Sequence, residues 1–208
     1  MDRRQMLIFS AGIVACVAVA WALVFLVKDR RATRPAQGPV IMLTEAADIG
    51  GPFRLIDHTG KRVTEADFKG RFMLLFFGYT LCPDVCPAEL QTMGRAMDRL
   101  AAKGDNIVPV FISVDPERDK PAVLKRYVAA FHPRMVGLTG SAAEVKAAAK
   151  AYKVYYRKAP GAKPGDTKIL MDHTSFIYLV GPDGKVVALI RGGTRPEVLA
   201  KELARLTG

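Results

Sequence analysis

Two cysteines four positions apart, Cys82 and Cys86, are the residues of this 208-residue chain best suited to chemistry. They follow a continuous apolar run that predicts a buried strand, and they enter a stretch that predicts a helix. At positions i and i+4 of a helix, two sulfurs lie on one face, a few ångströms apart. The spacing therefore predicts two thiols that can share one metal ion.

The start of a helix also favours the reactive form of these thiols. Its unpaired N–H groups and its dipole stabilise anionic sulfur, which lowers the pKa of a thiol. Thiolates are soft ligands that suit Cu(I) or Zn(II) better than magnesium or calcium, although a structural zinc site normally has four protein ligands. The residues alone leave three interpretations open: a metal site, a redox dithiol and inert structural cysteines.

The elements that must position the cysteines alternate between strands and helices. The predicted strands are a hairpin (53–55 and 62–64 around the turn 57–60), then 72–77, 108–114, 136–138, 174–180 and 186–190. The predicted helices cover 83–101, 120–131, 142–152 and 196–206. This alternation predicts an α/β fold with a mostly parallel sheet between helices. The closing hairpin and helix give the thioredoxin order, a mixed sheet with flanking helices, with 154–170 as an inserted loop.

A third ligand for the dithiol has three candidates, because the chain contains three histidines. His58 falls in the predicted hairpin turn and His132 at the end of a predicted helix, so we expect surface or capping roles for both. His173 stands just before the penultimate predicted strand. In a thioredoxin-type sheet the loop entering that strand lies beside the N-terminus of the active-site helix, so His173 can reach the two sulfurs.

The N-terminal region predicts a membrane anchor. Residues 6–27 contain no charged residue, and as a helix they would span roughly 33 Å, about the thickness of a bilayer core. A cleaved signal peptide is the alternative, but its apolar region is typically only about 7–15 residues long. We therefore divide the chain into a tail (1–5), a transmembrane anchor (6–27), a linker (28–47) and a folded domain (48–208).

The formal net charge of +11 indicates a basic surface. The simplest explanation is a solvated basic face. The more specific explanation is a surface that binds an acidic partner protein or anionic lipid head groups. Nucleic acid is not expected as a partner, because no zinc-finger, helix-turn-helix or stacking-aromatic motif accompanies the charge. The basic residues that follow the apolar span outnumber those before it, which by the positive-inside rule favours a cytosolic domain.

Four segments together resemble the Sco/SenC family of membrane-anchored copper proteins. They are FFGYTLCPDVCP at 76–87, SVDPERD at 113–119, DHT at 172–174 and GPDG at 181–184. The resemblance covers the chain from about residue 48 to its C-terminus. It implies a thioredoxin-like fold in which Cys82, Cys86 and His173 bind copper, as Cu(I), with Cu(II) left open as a second state.

The resemblance also implies a function and a location. Such proteins support assembly of the dinuclear copper site in subunit II of cytochrome c oxidase. The implied protein is a copper metallochaperone, a carrier and not an enzyme. It is single-pass in the bacterial inner (cytoplasmic) membrane, with its soluble domain facing the periplasm, and another periplasmic copper chaperone is a further candidate partner.

Two other functions stay open at this point. Cys82 and Cys86 could act as the redox pair of a thiol-disulfide reductase that keeps the acceptor cysteines reduced. A copper or redox sensor is the third alternative, although no signalling domain is evident. Three aspartates lie beside the motifs: Asp84, Asp115 and Asp172. Two roles are open to them: accepting hydrogen bonds that orient the metal ligands, or capping helices and forming turns.

Overall fold

A computed structural model describes residue 21 and residues 39–43, 48–158, 171–173 and 175–208, without the side chains of 158 and 171–173. Residues 39–208 form one compact unit. Within the described ranges, no helix is long and apolar enough to cross a membrane. The predicted anchor at 6–27 lies outside those ranges apart from residue 21.

Ten strands and four α-helices make up the described chain. The strands are β1 (Val40–Met42), β2 (Arg54–Asp57), β3 (Arg62–Thr64), β4 (Phe72–Gly78), β5 (Ile107–Ser113), β6 (Val136–Thr139), β7 (Tyr156–Lys158), β8 (Met171–His173), β9 (Ile177–Val180) and β10 (Val186–Ile190). The helices are α1 (Val85–Leu100), α2 (Pro121–Ala129), α3 (Ala142–Ala151) and α4 (Pro196–Thr207), with 3₁₀ turns at Glu65–Phe68 and Ala101–Gly104.

Eight of the strands form one mixed sheet in the order β1-β10-β9-β4-β5-β6-β2-β3. Only β4–β5 and β5–β6 pair in parallel, and the other pairs are antiparallel. The prediction of a mostly parallel sheet is therefore wrong, because the two hairpins and β1 add antiparallel strands at both edges. The α/β class, a mixed sheet with flanking helices, is confirmed.

The core lies on the two central strands. Every residue of β5 is buried, as is every residue of β4 except Phe72. Continuous apolar sequences are typical of strands covered on both faces, and burial of this apolar surface is the main force that fixes the sheet. Consequently the ends of β4 and β5 are held firmly, and the cysteine segment begins where β4 ends.

One strand falls inside the segment predicted as a linker. Val40–Met42 form β1, an edge strand paired antiparallel with β10, so residues 28–47 are not linker throughout. Three residues are too few to show the alternation by which a strand is recognised in sequence. Strand β1 can therefore be recognised only from its pairing with β10 in the folded chain.

Two strands lie outside the main sheet. β7 and β8 pair with each other in a separate two-stranded sheet, in which Tyr156 is opposite His173. They fall at the two ends of the predicted insertion, whose central residues 159–170 lie outside the described chain. The insertion thus contributes β7 at its start, and β8 follows its end.

Candidate metal centre

The two cysteines meet at the junction between β4 and α1. The helix begins at Val85, so Cys82 lies in the loop before it and Cys86 in its first turn. The prediction that both occupy i and i+4 of one helix is wrong in this detail. The two cysteines are nevertheless in contact, because the backbone N–H of Cys86 donates a hydrogen bond to Cys82 Sγ at 3.4 Å. Neither cysteine forms a disulfide bond.

The two thiols have opposite electrostatic environments. Burial of Cys82 raises its pKa, but hydrogen bonds from the backbone N–H groups of Cys86 and Asp84 lower it by more, so its pKa is below the usual value. Cys86 is fully buried, and this desolvation raises its pKa far above the usual range. Cys82 is therefore the thiol that ionises first, and Cys86 the one that holds its proton.

The last residue of β4 makes room for the Cys86 sulfur. A Cβ atom on Gly78 would lie 2.8 Å from Cys86 Sγ and 3.0 Å from the ring of Phe111. Real Cβ atoms do not approach other atoms that closely, so a larger residue would push the sulfur or the ring away. Gly78 belongs to the site although it carries no chemical group.

A buried carboxylate ties the cysteine loop to the neighbouring strand. Thr80 donates to Asp119 through its backbone N–H at 3.0 Å and its hydroxyl at 2.5 Å. The hydroxyl of Ser113, at the end of β5, donates to the same carboxylate at 2.5 Å. Asp119 is fully buried, which raises its pKa, and the bonds from Ser113 and Thr80 only partly offset this. The network fixes the segment that leads into Cys82.

The aspartates singled out from the sequence have simpler roles. The Asp115 carboxylate pairs with Arg118 in the turn after β5, so it forms the turn. Asp84 occupies the N-cap position of α1 without a capping hydrogen bond from its side chain. The side chain of Asp172 lies outside the described part of the structure. The aspartate that holds the cysteine loop is Asp119, the last residue of the motif at 113–119. It was not among the aspartates singled out from the sequence.

The first two histidines are engaged in backbone hydrogen bonds. His58 Nδ1 accepts the N–H of Gly137 at 3.1 Å, which links the β2–β3 turn to β6. His132 Nδ1 accepts the N–H of Arg134 at 3.1 Å, and this side chain is only 8% exposed. This bond lies in the turn after α2 and caps no helix carbonyl, and His132 is buried there instead of lying at the surface.

His173 ends β8, four residues before β9 begins. The first residue of β9, Ile177, pairs with Phe76, two residues before the end of β4. The imidazole of His173 lies outside the described side chains. Among the side chains that are described, no group of three His, Cys, Asp or Glu residues could hold a metal ion. The backbone alone shows that β8 leads to the strand next to β4.

A buried glutamate of α1 contacts the loop after β10. Glu89 is only 4% exposed, and its Oε1 accepts the N–H of Gly193 at 2.6 Å. A Cβ on Gly192 would lie 2.7 Å from the carbonyl oxygen of Ser175, two residues after His173. Glu89 thus connects the cysteine helix to the surroundings of Ser175.

Comparison with known proteins identifies the family. The SCO1/SenC family model matches residues 42–208. The sco1 protein of Schizosaccharomyces pombe is 36% identical over 202 residues, which covers 96% of this chain and 77% of the yeast protein. The human mitochondrial SCO1 homolog is 43% identical over 158 residues, covering 75% of this chain. The chain spans about half the length of that human protein (52%).

Solved structures lead to the same family. Bradyrhizobium japonicum ScoI with copper bound has a TM-score of 0.69 and 44% identity, covering 76% of this chain and 98% of ScoI. BsSco, described as a member of the Sco family of cytochrome c oxidase assembly proteins with a disulfide switch, has a TM-score of 0.58 and 27% identity. That alignment covers 79% of this chain and 96% of BsSco. The chain belongs to the SCO1/SenC family.

Proposed function

We propose that this protein is a membrane-anchored copper metallochaperone. It binds copper through Cys82, Cys86 and His173 and delivers it to the dinuclear copper site of cytochrome c oxidase subunit II. The observation that carries the proposal is the pair of cysteines at the start of α1, which form no disulfide and are linked by the hydrogen bond from the backbone N–H of Cys86 to Cys82 Sγ. Two soft ligands so close together suit Cu(I).

Relatives support copper as the ligand. The ScoI proteins of Bradyrhizobium japonicum and Arabidopsis thaliana have been solved with copper bound, at 44% and 42% identity to this chain. The description of BsSco as belonging to a family of cytochrome c oxidase assembly proteins supports the client. We propose subunit II of the oxidase as the client and another periplasmic copper chaperone as a further partner.

The length of the chain supports His173 as the third ligand. His173 stands four positions before Ile177, which is paired with Phe76 of β4. An extended chain covers at most about 3.6 Å per residue, or roughly 14 Å over this segment. Gly78, whose Cβ position lies 2.8 Å from Cys86 Sγ, is two residues along β4 from Phe76. A reach of that length is sufficient for an imidazole to approach the sulfurs.

The unequal thiols suggest how copper is loaded and released. Binding requires both sulfurs as thiolates, so copper displaces the proton that burial retains on Cys86. A three-coordinate Cu(I) has room for a further ligand, so an acceptor can bind before the donor lets go. Cys82 is the more exposed sulfur, and we expect it to meet the incoming ligand first.

Copper stoichiometry of the purified full chain tests the ligand set. We expect one Cu(I) per wild-type chain, and loss of tight binding in Cys82→Ala, Cys86→Ala and His173→Ala. His58→Ala is the matched control, because His58 only accepts the N–H of Gly137, and it should bind copper normally. Equal retention by all five proteins, or none by the wild type, would contradict the proposal.

A thiol-disulfide reductase is the second candidate function, favoured by the asymmetry of the thiols. Cys82, with its lowered pKa, attacks one sulfur of an acceptor disulfide and releases the other as a thiolate. Cys86 then attacks the mixed disulfide, which leaves a Cys82–Cys86 disulfide and two reduced acceptor thiols. Two electrons pass to the acceptor. Disulfide exchange that survives in His173→Ala would support this function. If His173→Ala loses disulfide exchange to the same extent as it loses copper binding, the result would oppose it.

Location is proposed from the sequence. We place residues 6–27 in the bacterial inner membrane as a single span, the linker after them, and the copper-binding domain in the periplasm. A reporter active only in the periplasm, fused to the C-terminus, tests the topology. Activity is expected, whereas a cytosolic signal would contradict delivery to the oxidase.

A further inference from the structure

A short turn joins the cysteine helix to the chain beside the proposed histidine ligand. This turn, residues 191–194, lies between β10 and α4. On one side of it, Glu89 of α1 accepts the backbone N–H of Gly193 through Oε1 at 2.6 Å. On the other side, the Cβ position of Gly192 lies 2.7 Å from the carbonyl oxygen of Ser175 and 3.2 Å from its hydroxyl oxygen. Glu89, the turn and Ser175 therefore form a continuous series of contacts.

The turn at 191–194 has a fixed shape of its own. The hydroxyl of Thr194 donates to the carbonyl oxygen of Arg191 at 2.6 Å, which closes the turn. The backbone N–H of Arg191 donates to the carbonyl oxygen of Pro39 at 2.8 Å. Gly193 has a φ of +75°, in the left-handed region that glycine adopts without strain. A turn held in this way transmits the position of Glu89 to Ser175.

Packing alone does not account for the carboxylate of Glu89. This side chain is only 4% exposed, and it lies three positions after Cys86, on the same face of α1. Its Oε2 is buried and has no hydrogen-bond partner among the described residues. Burying a carboxylate with one unpaired oxygen is costly, and an apolar side chain would avoid that cost. What the carboxylate provides in return is the bond to Gly193.

Ser175 is a nearer point of attachment for His173 than the strand that follows. Ile177, where β9 begins, is four positions from His173, a reach of roughly 14 Å in an extended chain. Ser175 is two positions away, which reduces the reach to about 7 Å. Contact between Ser175 and the turn therefore halves the length of chain that is free to move on this side of His173.

We propose that Glu89 is a positioning residue of the copper site, which holds the turn at 191–194 against Ser175 and so restricts how His173 approaches the two cysteines. This inference rests on the proposed copper-binding function. A ligand on a shorter tether has a higher effective concentration at the metal, and doubling the tether lowers that concentration about threefold. Glu89 thus increases copper affinity through His173, because it limits the conformations that binding must otherwise restrict.

Two substitutions of Glu89 in the full chain test the role of its oxygen. We measure Cu(I) affinity by competition with a chromogenic chelator. Glu89→Ala should weaken copper binding about threefold, because the turn loses its attachment to α1. Glu89→Gln should bind copper nearly as the wild type does, because its amide oxygen can accept the same N–H of Gly193.

Glu65→Ala is the matched control. Glu65 Oε2 also accepts a single backbone N–H, that of Phe53 at 3.0 Å. It follows β3, which is the edge strand at the opposite end of the sheet from β1 and β10. Glu65→Ala should lower the midpoint of urea unfolding and leave copper affinity unchanged.

A double-mutant cycle with His173 separates positioning from a general structural effect. In the His173→Ala background there is no imidazole to position, so adding Glu89→Ala should leave the remaining copper affinity unchanged. A purely structural role would instead weaken both backgrounds by the same factor. Gly192→Ala tests the other side of the turn, because the added methyl group would displace Ser175. It should weaken copper binding only when His173 is present, and it leaves Glu89 in place if Glu89→Ala does not fold.

Three results would overturn the inference while leaving the proposed function intact. They are unchanged copper affinity in Glu89→Ala and Gly192→Ala, an equal loss with and without His173, and a loss in Glu89→Gln as large as in Glu89→Ala. A wild-type protein that binds no copper, or His173→Ala that binds it as the wild type does, would overturn the inference together with the proposed ligand set.

Discussion

The two parts of the proposed copper site are built in different ways. The cysteine region lies on the central strands: Gly78 ends β4 beside Cys86, and Asp119 joins Thr80 to Ser113 at the end of β5. The histidine region is β8, which pairs only with β7 among the described strands, in a separate two-stranded sheet. One part is fixed by the core of the domain, and the other by a short pairing outside it.

This difference suggests a division of labour. Buried, close-packed groups have few alternative positions, so the cysteine region should hold its geometry whether or not copper is present. A two-stranded pairing has fewer contacts to stabilise it. We therefore expect the cysteines to determine whether copper binds, and the histidine to determine how tightly it is held and how readily it leaves.

The largest expected effect is on the cysteine region. Asp119→Ala should lower the free energy of unfolding by about 3 kcal/mol, because the buried donors of Thr80 and Ser113 lose their acceptor. Urea unfolding of the full chain measures this. Asp48→Ala is the control, because its carboxylate is exposed in an ion pair with Lys153, and no measurable change is expected. Equal effects of the two substitutions would show that the cysteine region is not fixed by Asp119.

Crowding the Cys86 sulfur should have the next largest effect. Gly78→Ala places a methyl group 2.8 Å from Cys86 Sγ, and we expect a loss of about 1–3 kcal/mol in stability together with weaker copper binding. Gly184→Ala is the control: apart from its chain neighbours, no atom of the described residues lies within 4 Å of its Cβ position, but its φ of +86° makes alanine strained. It should cost stability without changing copper affinity. Normal copper binding by Gly78→Ala would contradict the close packing of Gly78 against the Cys86 sulfur.

Proton release should come from the cysteine region alone. Burial raises the pKa of Cys86, so this thiol is protonated at neutral pH and must lose its proton when copper binds. Affinity for Cu(I) should therefore increase about tenfold per pH unit around neutrality for one proton released. Chelator competition at several pH values measures the slope. His173→Ala should bind more weakly with the same slope, because the proton of Cys86 is released in both proteins. A flat slope in the wild type would contradict the assignment.

The smallest expected effect concerns Glu89, which lies on the cysteine helix α1 and contacts the loop after β10. Burial raises the pKa of Glu89, and the bond from Gly193 N–H lowers it by less. A pKa raised in the folded state stabilises the protein in acid, and this contribution is lost as the pH rises through the raised pKa. Relative to the wild type, Glu89→Gln should therefore become more stable with rising pH, by no more than about 1 kcal/mol.

Glu144→Gln is the control of opposite sign. Hydrogen bonds from the Ser141 backbone and from Arg62 lower the pKa of Glu144 to about 2. The stabilisation from Glu144 is present above the ordinary pKa of a glutamate and is lost as the pH falls towards the lowered value. The advantage of the wild type over Glu144→Gln should therefore shrink in acid. Urea unfolding in acid and at neutral pH measures both, and slopes of the same sign would contradict these assignments.

Much of the fold could be predicted from local sequence. The apolar runs of β4 and β5, the Gly-containing turns of the two hairpins and the four helices were all recognised within a few residues of their observed bounds. Each depends on hydrophobic periodicity or on turn residues, which act between near neighbours. The position of Cys82 and Cys86 between a buried strand and a helix followed in the same way. The choice of His173 as the third ligand rested instead on the thioredoxin order of the elements and on the family resemblance.

The tertiary structure decided what depends on contacts between distant residues. Asp119 reaches Thr80 across 39 positions, and β1 pairs with β10 from the other end of the domain. Gly78 matters only because the Cys86 sulfur and the ring of Phe111 come close to its Cβ position. Local patterns fix which element a residue occupies, but the environment of a thiol, and hence its pKa, is set by whatever the fold packs around it.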